Sequence, residues 1–535
     1  MRRLRENPWA TVLVVCLGFF MIMLDTTIVY VATPAMLSGL HASLDEVLWV
    51  FNGYLLAYAV LLITAGRLGD IYGPRNLFVA GLVIFTVASA ACGFSQDSTQ
   101  LIAARVVQGI GGALLAPQSL TILTTTFPAE RRGAALGVWG AVVGLSTVAG
   151  PTLGGLIVTD WSWPWIFFIN VPVGLFTVAA TLLVIPDVRP GRRHRFDWVG
   201  VGLASSSLFA IVFGLIEGQR YDWGVITGVI SIPAVIGAGA LLLVAFFVWE
   251  GRQAEPLVPL RLFRNRNYAL MNWVGAAMQF GIQGIFIPFT IYVQSVLGMT
   301  ALLAGLTVAP MSLASGAVAP VSGRLSDRLG GKYILMVGLV LFAGGTGWLL
   351  WIASLASTWS SFLLPFIVAG IGLGCVFAPM TTVAMSDITP AEAGAASGVL
   401  NTTRQLGSAI GSAVVGAVLQ NRLAVALHER ATAESAQLPP PFRAPFVPGF
   451  DDAARAGLQV GRGQTGGAKL PAGLPAQVAA QLQALGHDVF VNAFVDALRP
   501  TVLVAVVVLL LAALSCFLVV GRRRSAKARL VAKVA

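Results

Sequence analysis

The chain has 535 residues, of which 57% are hydrophobic and 11% charged, well below the ~25% charged residues usual in water-soluble domains. That balance excludes a soluble globular protein and predicts one built of many membrane spans. The net charge of +11 does not point to nucleic acid, because the basic residues lie in short clusters between apolar runs and not on one basic face. Cys16, Cys92, Cys375 and Cys516 all fall in apolar runs without metal-ligand or disulfide spacing, so free thiols and no bound metal are expected.

The basic start, MRRLRENPWA, opens an apolar run of full membrane width that lacks a small-residue cleavage site. It is expected to remain as the first span. Apolar runs of about 20 residues then place spans near 10–33, 47–66, 77–95, 101–124, 134–157, 165–185, 197–217 and 225–249. A second series lies near 268–296, 302–323, 333–353, 360–385, 396–420 and 500–520. An all-α integral membrane protein with fourteen transmembrane helices follows. Lys and Arg concentrate in the loops of one side, 24 of them, while the short loops opposite hold only Arg220. Both termini are therefore expected in the cytoplasm of a cell-membrane protein.

The first span carries Asp25 about 15 residues from its start, roughly 22 Å into a ~30 Å hydrocarbon layer. An intramembrane carboxylate is a functional-site candidate by default, and the four histidines, at 41, 194, 428 and 487, all fall in loops. Asp25 is thus the leading candidate for binding and releasing a proton. Arg105 enters span 4 at a similar depth, and an arginine in hydrocarbon needs a partner, so the two are expected to meet. A change in their separation would alter the carboxylate's proton affinity, which is what coupling requires. Gln108 and Gln118 in the same span read first as interhelical hydrogen-bonders, with a place along the substrate path as the alternative.

Gly66, Arg67, Gly69, Asp70, Gly73 and Arg75 make a tight turn after span 2, where charges can bridge neighbouring helix ends as a latch. In span 5, Gly140, Gly144, Gly150, Gly154 and Gly155 surround Pro151, which predicts close helix packing and a kink. An internal repeat is visible by eye. GRLGDIYGPR at 66–75 returns as GRLSDRLGGK at 323–332, GIGGALLAP at 109–117 as GIGLGCVFAP at 370–379, and PAERRGAALG at 128–137 as PAEAGAASG at 390–398. Three ordered matches at nearly one offset predict two parallel six-helix halves with a midplane site between them. Residues 1–190 form the first bundle, 191–266 the inserted helices 7 and 8, and 267–535 the second bundle. The second latch keeps Gly323, Arg324, Asp327 and Arg328 but has Ser326 in place of Gly69, and is expected to be weaker.

Span 9 carries Trp273, Met278, Gln279, Phe280 and Phe286, candidates for a drug cavity or for plain packing. Span 13 places Arg404 and Gln405 in the membrane without an acidic mate in that span; Arg404 is expected to pair with an acidic group on another helix, or to bind an anionic substrate or a cluster of backbone carbonyls. Glu217 and Glu250 close spans 7 and 8 and are expected at the interface. The segment 421–499 is polar and Pro/Gly-rich, and reads as a flexible outer loop with one amphipathic helix over 477–499. Its ionisable residues show no triad or ligand spacing, so no enzymatic activity is expected.

Taken together, LDTTIVYVATP at 24–34, GRLGDIYGPR at 66–75, RVVQG at 105–109 and GPTLGG at 150–155 resemble the signature motifs of the major facilitator superfamily. The resemblance spans nearly the whole chain except 421–499, and fourteen spans resemble its drug:proton antiporter branch. It implies export of antibiotics, drugs or lipophilic cations by alternating access, driven by the proton gradient without a cofactor. It further implies that the latch stabilises the outward-facing state, and that Gly150, Pro151, Gly154 and Gly155 form the pattern associated with antiporters. The sequence holds no GxxxxGK[ST] loop, so direct ATP drive is not expected. Expected partners are the bilayer, protons and a small lipophilic or cationic substrate, with no nucleic acid and a monomeric state. The motifs do not separate multidrug export from export of one defined metabolite, such as a siderophore or self-made antibiotic. A non-transporting sensor of the same fold is disfavoured by the intact Asp25, Arg105 and Asp70.

Overall fold

The structure, a computed structural model, describes residues 7–32, 35–36, 39–40, 42, 44–128, 131–187, 197–218, 221, 223–253, 256–389, 392–435, 446–450 and 476–520. Among these, fourteen long helices carry the fold. They are α1 (Pro8–Val31), α2 (Leu44–Tyr72), α3 (Pro74–Gly93), α4 (Ser98–Thr126), α5 (Arg132–Asp160), α6 (Trp165–Val184) and α7 (Trp198–Glu217). The series continues with α8 (Ile232–Glu250), α9 (Arg266–Val296), α10 (Ala301–Leu329), α11 (Gly331–Ile352), α12 (Trp359–Ala384), α13 (Ala393–Ser435) and α14 (Ala476–Ser515). Thirteen are long and apolar enough to cross a membrane by length and composition, and α5 completes the set.

Local chemistry starts several of them. Asp97 caps α4 by accepting from Gln100 N, Asp197 caps α7 through Gly200 N, and Thr300 caps α10 through Leu303 N, each satisfying a first-turn amide. Gly73 and Gly330 hold φ of 90° and 87° where α2 turns into α3 and α10 into α11, a conformation that favours glycine. The two turns are copies of one another.

The repeat is written into the packing. Helices α1 and α5, α2 and α4, α3 and α4, and α3 and α6 pack together, and each pair recurs eight helices later as α9 and α13, α10 and α12, α11 and α12, and α11 and α14. The halves α1–α6 and α9–α14 meet along two seams, α5 on α10 and α2 on α13. At both seams glycines let backbones touch: Gly66 lies against the Gly394 carbonyl and Gly398, while Gly133 lies against the Gly323 carbonyl. The inserted α7 packs on α2 and α13, with Val212 buried against Leu56 and Ala59. Its neighbour α8 turns Leu241, Val244 and Val248 outward.

Several expectations need correction. Residues 225–231 are not the start of span 8 but a small hairpin, β1 (Val225–Thr227) with β2 (Ile230–Ser231), and α8 begins at Ile232. Span 12 is broken at Cys375–Val376, between Leu363–Gly374 and Phe377–Ala384. In the segment 421–499 the helix expected over 477–499 is present, whereas the described residues 421–435 are helix where a loop was expected. α13 runs on to Ser435, and α14 begins at Ala476 and passes through Pro500. Leu423, Leu427, Val489, Phe490 and Phe494 are buried between them, and Arg430 pairs with Asp496 at 2.7 Å. Composition misled because these extensions bury an apolar stripe against each other instead of against lipid. The centre of that loop, 436–445 and 451–475, lies outside the described residues. Glu217 and Glu250 are buried, not interfacial, at 4% and 2% exposure; Glu250 accepts from Val258 N at 3.0 Å.

Candidate functional site

Asp25 is fully buried in the first half, and its carboxylate is the centre of a polar network drawn from four helices. Arg105 Nη1 of α4 donates to Asp25 Oδ2 at 2.5 Å. Gln108 Nε2, one turn further on α4, donates to Oδ1 at 2.9 Å, and Asn170 Nδ2 of α6 donates to the same oxygen at 3.2 Å. Ser89 of α3 extends the network by accepting from Asn170 Nδ2 at 3.1 Å and donating to the Phe167 carbonyl.

Arg105 is held as firmly as its partner. Its Nη1 also donates to Gln108 Oε1 at 2.8 Å and its Nε to the Val50 carbonyl of α2 at 3.1 Å. The guanidinium carbon lies 4.2 Å from the Tyr54 ring centroid, a cation–π distance. Gln108 both gives to the carboxylate and takes from the guanidinium, which fixes its amide. A charge pair with every main contact filled is the arrangement a desolvated ion pair requires.

Asn170, Ser89 and Tyr54 were not singled out by the sequence reading. Asn170 had a signal: it is one polar residue in the apolar run IFFINVPVG. Span 5 meets this site from the side, since a Cβ on Gly150 would strike the Thr27 hydroxyl and one on Gly154 would strike Ile28. Both neighbours lie within one turn of Asp25 on α1. Helix α5 is assigned continuously through Pro151, and Gly155 is half-buried beside it.

The two turn motifs form a symmetric pair of clasps at one end of the bundle. Asp70 accepts from Gly394 N and Ala395 N, both at 2.9 Å. Asp327 accepts from Gly133 N at 2.9 Å and Ala134 N at 3.1 Å. Each carboxylate thus receives first-turn amides of a helix in the other half, where the helix dipole favours negative charge. The second clasp has the same pair of bonds as the first, so Ser326 has not weakened its geometry. The arginines differ: Arg67 is buried beside Asp70, whereas Arg324 is exposed. Arg75 does not join the clasp; its Nη2 donates to the Leu182 carbonyl at 3.2 Å. Gly69 gives room to the Gln118 side chain.

The residues grouped as a substrate path separate. Gln108 belongs to the Asp25 network. Gln118 Nε2 donates to the Ala65 carbonyl at 2.7 Å beneath the first clasp. Arg404 stands between α2, α9 and α12, with Gln405 and Gln279 half-buried on α13 and α9. Trp273 is exposed, Met278 is buried, and Phe280 packs with Val415 and Ala505, so most of the aromatic set of span 9 is packing.

The model of the Major Facilitator Superfamily matches residues 15–412. The chain belongs to this superfamily. It is 43% identical over 420 residues, 78% of this chain and 72% of the other, to an uncharacterized MFS-type transporter of Mycobacterium tuberculosis. It is 39% identical over 424 residues to the tetracenomycin C resistance and export protein of Streptomyces glaucescens, covering 78% and 77% of the two chains. The structure of human MFSD10, titled an organic anion transporter, superposes with a TM-score of 0.55 at 14% identity over 76% of this chain and 93% of that one, a likeness of fold alone. Major facilitator proteins with parallel repeats bind substrate near the midplane between their halves, and in this member both clasps and both seams lie on that dividing surface.

Proposed function

We propose that this superfamily member is a proton-driven exporter of antibiotics or other small lipophilic compounds across the cytoplasmic membrane, acting by alternating access as a monomer and without a cofactor. The observation that carries the reading is the fully buried Asp25–Arg105 pair, whose direct partners come from α2, α4 and α6. A charge isolated at the bilayer centre costs at least ~2.5–3.5 kcal/mol, so neutralising Asp25 with a proton frees Arg105 to seek other acceptors and changes how α1 and α4 sit together.

In the cycle, Asp25 takes a proton from the outside and releases it inside. The clasps at Asp70 and Asp327 hold the cytoplasmic side closed, with both termini and the basic loops on that side, and part when it opens. The relative named for tetracenomycin C export supports an antibiotic as cargo. Everted membrane vesicles test the reading: energised vesicles should accumulate a toxic lipophilic compound, and a protonophore should abolish the accumulation. Accumulation that survives the protonophore and instead needs ATP would overturn it.

A further inference from the structure

Two arginines set deep in the described spans, away from the clasps, are in unlike states. Arg105 has a carboxylate, an amide oxygen and a backbone carbonyl. Among the described residues Arg404 has none of these: its Nε is sealed from solvent without a hydrogen-bond partner, and its guanidinium carbon lies 4.9 Å from the centroid of the Phe377 ring. No carboxylate among the described residues forms an ion pair with it. An arginine presents five donors in a planar fork suited to a carboxylate, and one left unfilled in a low-dielectric site is costly.

Its position gives the vacancy a use. Arg404 lies 11 residues beyond Ala393, the start of α13, roughly 17 Å along a helix and so near the middle of a ~30 Å layer. Below it, α13 and α2 are in backbone contact at Gly394 with Gly66 and at Gly398 with Leu62. Arg404 therefore stands six residues beyond Gly398, the last of these seam contacts on α13, on the surface that divides the halves. Tyr58 stacks on Tyr54 at 6.1 Å, and Tyr54 carries Arg105 on its face. The Tyr54–Tyr58 stack thus runs along α2 from the Arg105 site toward the seam.

We infer that Arg404 is the anchor for an acidic group of the exported molecule, a carboxylate or phenolate, so that the carrier selects organic anions over lipophilic cations. The inference deepens the exporter reading and rests on it for its biological meaning. The full-length protein in lipid nanodiscs is titrated with an anthracene carboxylate, its neutral methyl ester and the trimethylammonium analogue. Wild type should bind the carboxylate on the order of tenfold more tightly than the ester. Arg404→Gln should bring that ratio close to one. Arg404→Lys should lower it, because the ammonium supplies charge without the fork, and this variant decides the matter if Arg404→Gln is not recovered monodisperse. A wild-type preference for the ester or the ammonium overturns the inference, as does an unchanged ratio in Arg404→Lys or in monodisperse Arg404→Gln. Saturable chloride binding that Arg404→Gln removes, without any carboxylate preference, also overturns it, by making this an inorganic anion site. Everted vesicles report separately on export: no protonophore-sensitive accumulation of any probe, with the binding pattern intact, removes the exporter reading and leaves the anchor standing.

Discussion

Asp70 and Asp327 lie 257 positions apart and do the same thing: each carboxylate accepts two backbone amides from the first turn of a helix in the opposite half. The repeat therefore supplies two clasps at one end of the two seams, where four N–H···carboxylate hydrogen bonds join the halves. Charge-assisted bonds at a helix start contribute about 0.5–2 kcal/mol each. Small changes at either carboxylate are enough to bias a two-state carrier.

Asp70→Asn and Asp327→Asn should each shift the carrier toward the state open at this end, and by similar amounts. Single cysteines placed on the two faces should show higher labelling here and lower labelling opposite. Unchanged labelling on both faces in both variants would reduce these turns to topological signals.

Asp25→Asn should insert and purify as a monodisperse protein yet lose proton-coupled export. The amide can keep a bond to Arg105, but it cannot take up and release a proton at any ordinary pH. Wild-type accumulation against a gradient in this variant would remove Asp25 from the coupling step.

Arg105→Ala should abolish export at neutral pH and alter its pH profile, since the carboxylate loses the one cation in contact with it. Arg105→Lys should restore part of the activity, because it keeps the charge but cannot reach Asp25, Gln108 and the Val50 carbonyl together. Superimposable pH profiles for wild type and Arg105→Ala would contradict the pairing.

Gly150→Ala should impair transport by driving a methyl group into Thr27, next to Asp25. A second change, Thr27→Ala, should recover only part of the loss, because it removes the struck hydroxyl but leaves the Thr27 Cβ 2.6 Å from the added methyl. Equal activity in Gly150→Ala with and without Thr27→Ala, measured in the same vesicles, would mean that the contact between α5 and α1 is not what limits the variant.

Residues 446–450 decide where the outer segment can be shortened. Phe446 and Phe450 are buried and meet edge to face at 5.1 Å, so removing 439–475 takes away packed aromatics, each worth about 3 kcal/mol or more. Deleting 453–474 alone should leave thermal stability near wild type, whereas Phe450→Ala should lower the melting temperature measurably. Equal melting temperatures for Phe450→Ala and wild type would show that this turn does not hold the outer ends of α13 and α14.

The sequence alone determined the spans, the repeat and the depth of the embedded charges. The bilayer imposes a length of about 20 apolar residues per helix and a steep cost on ionised groups, and both constraints act locally along the chain. The meeting of Asp25 with Arg105 was legible for the same reason, since each needs a partner and both lie at one depth. Tertiary structure decided what depends on which helix faces which. Asn170 and Ser89 complete the Asp25 network only because α6 and α3 turn toward α1, and the clasps join halves that are hundreds of residues apart. It also decided the polar-looking segment 421–499, whose helices bury a stripe against each other, and the contrast between the two arginines. Arg105 and Arg404 are alike as letters in an apolar run. Only the packing around them gives one a carboxylate and leaves the other facing the seam without one.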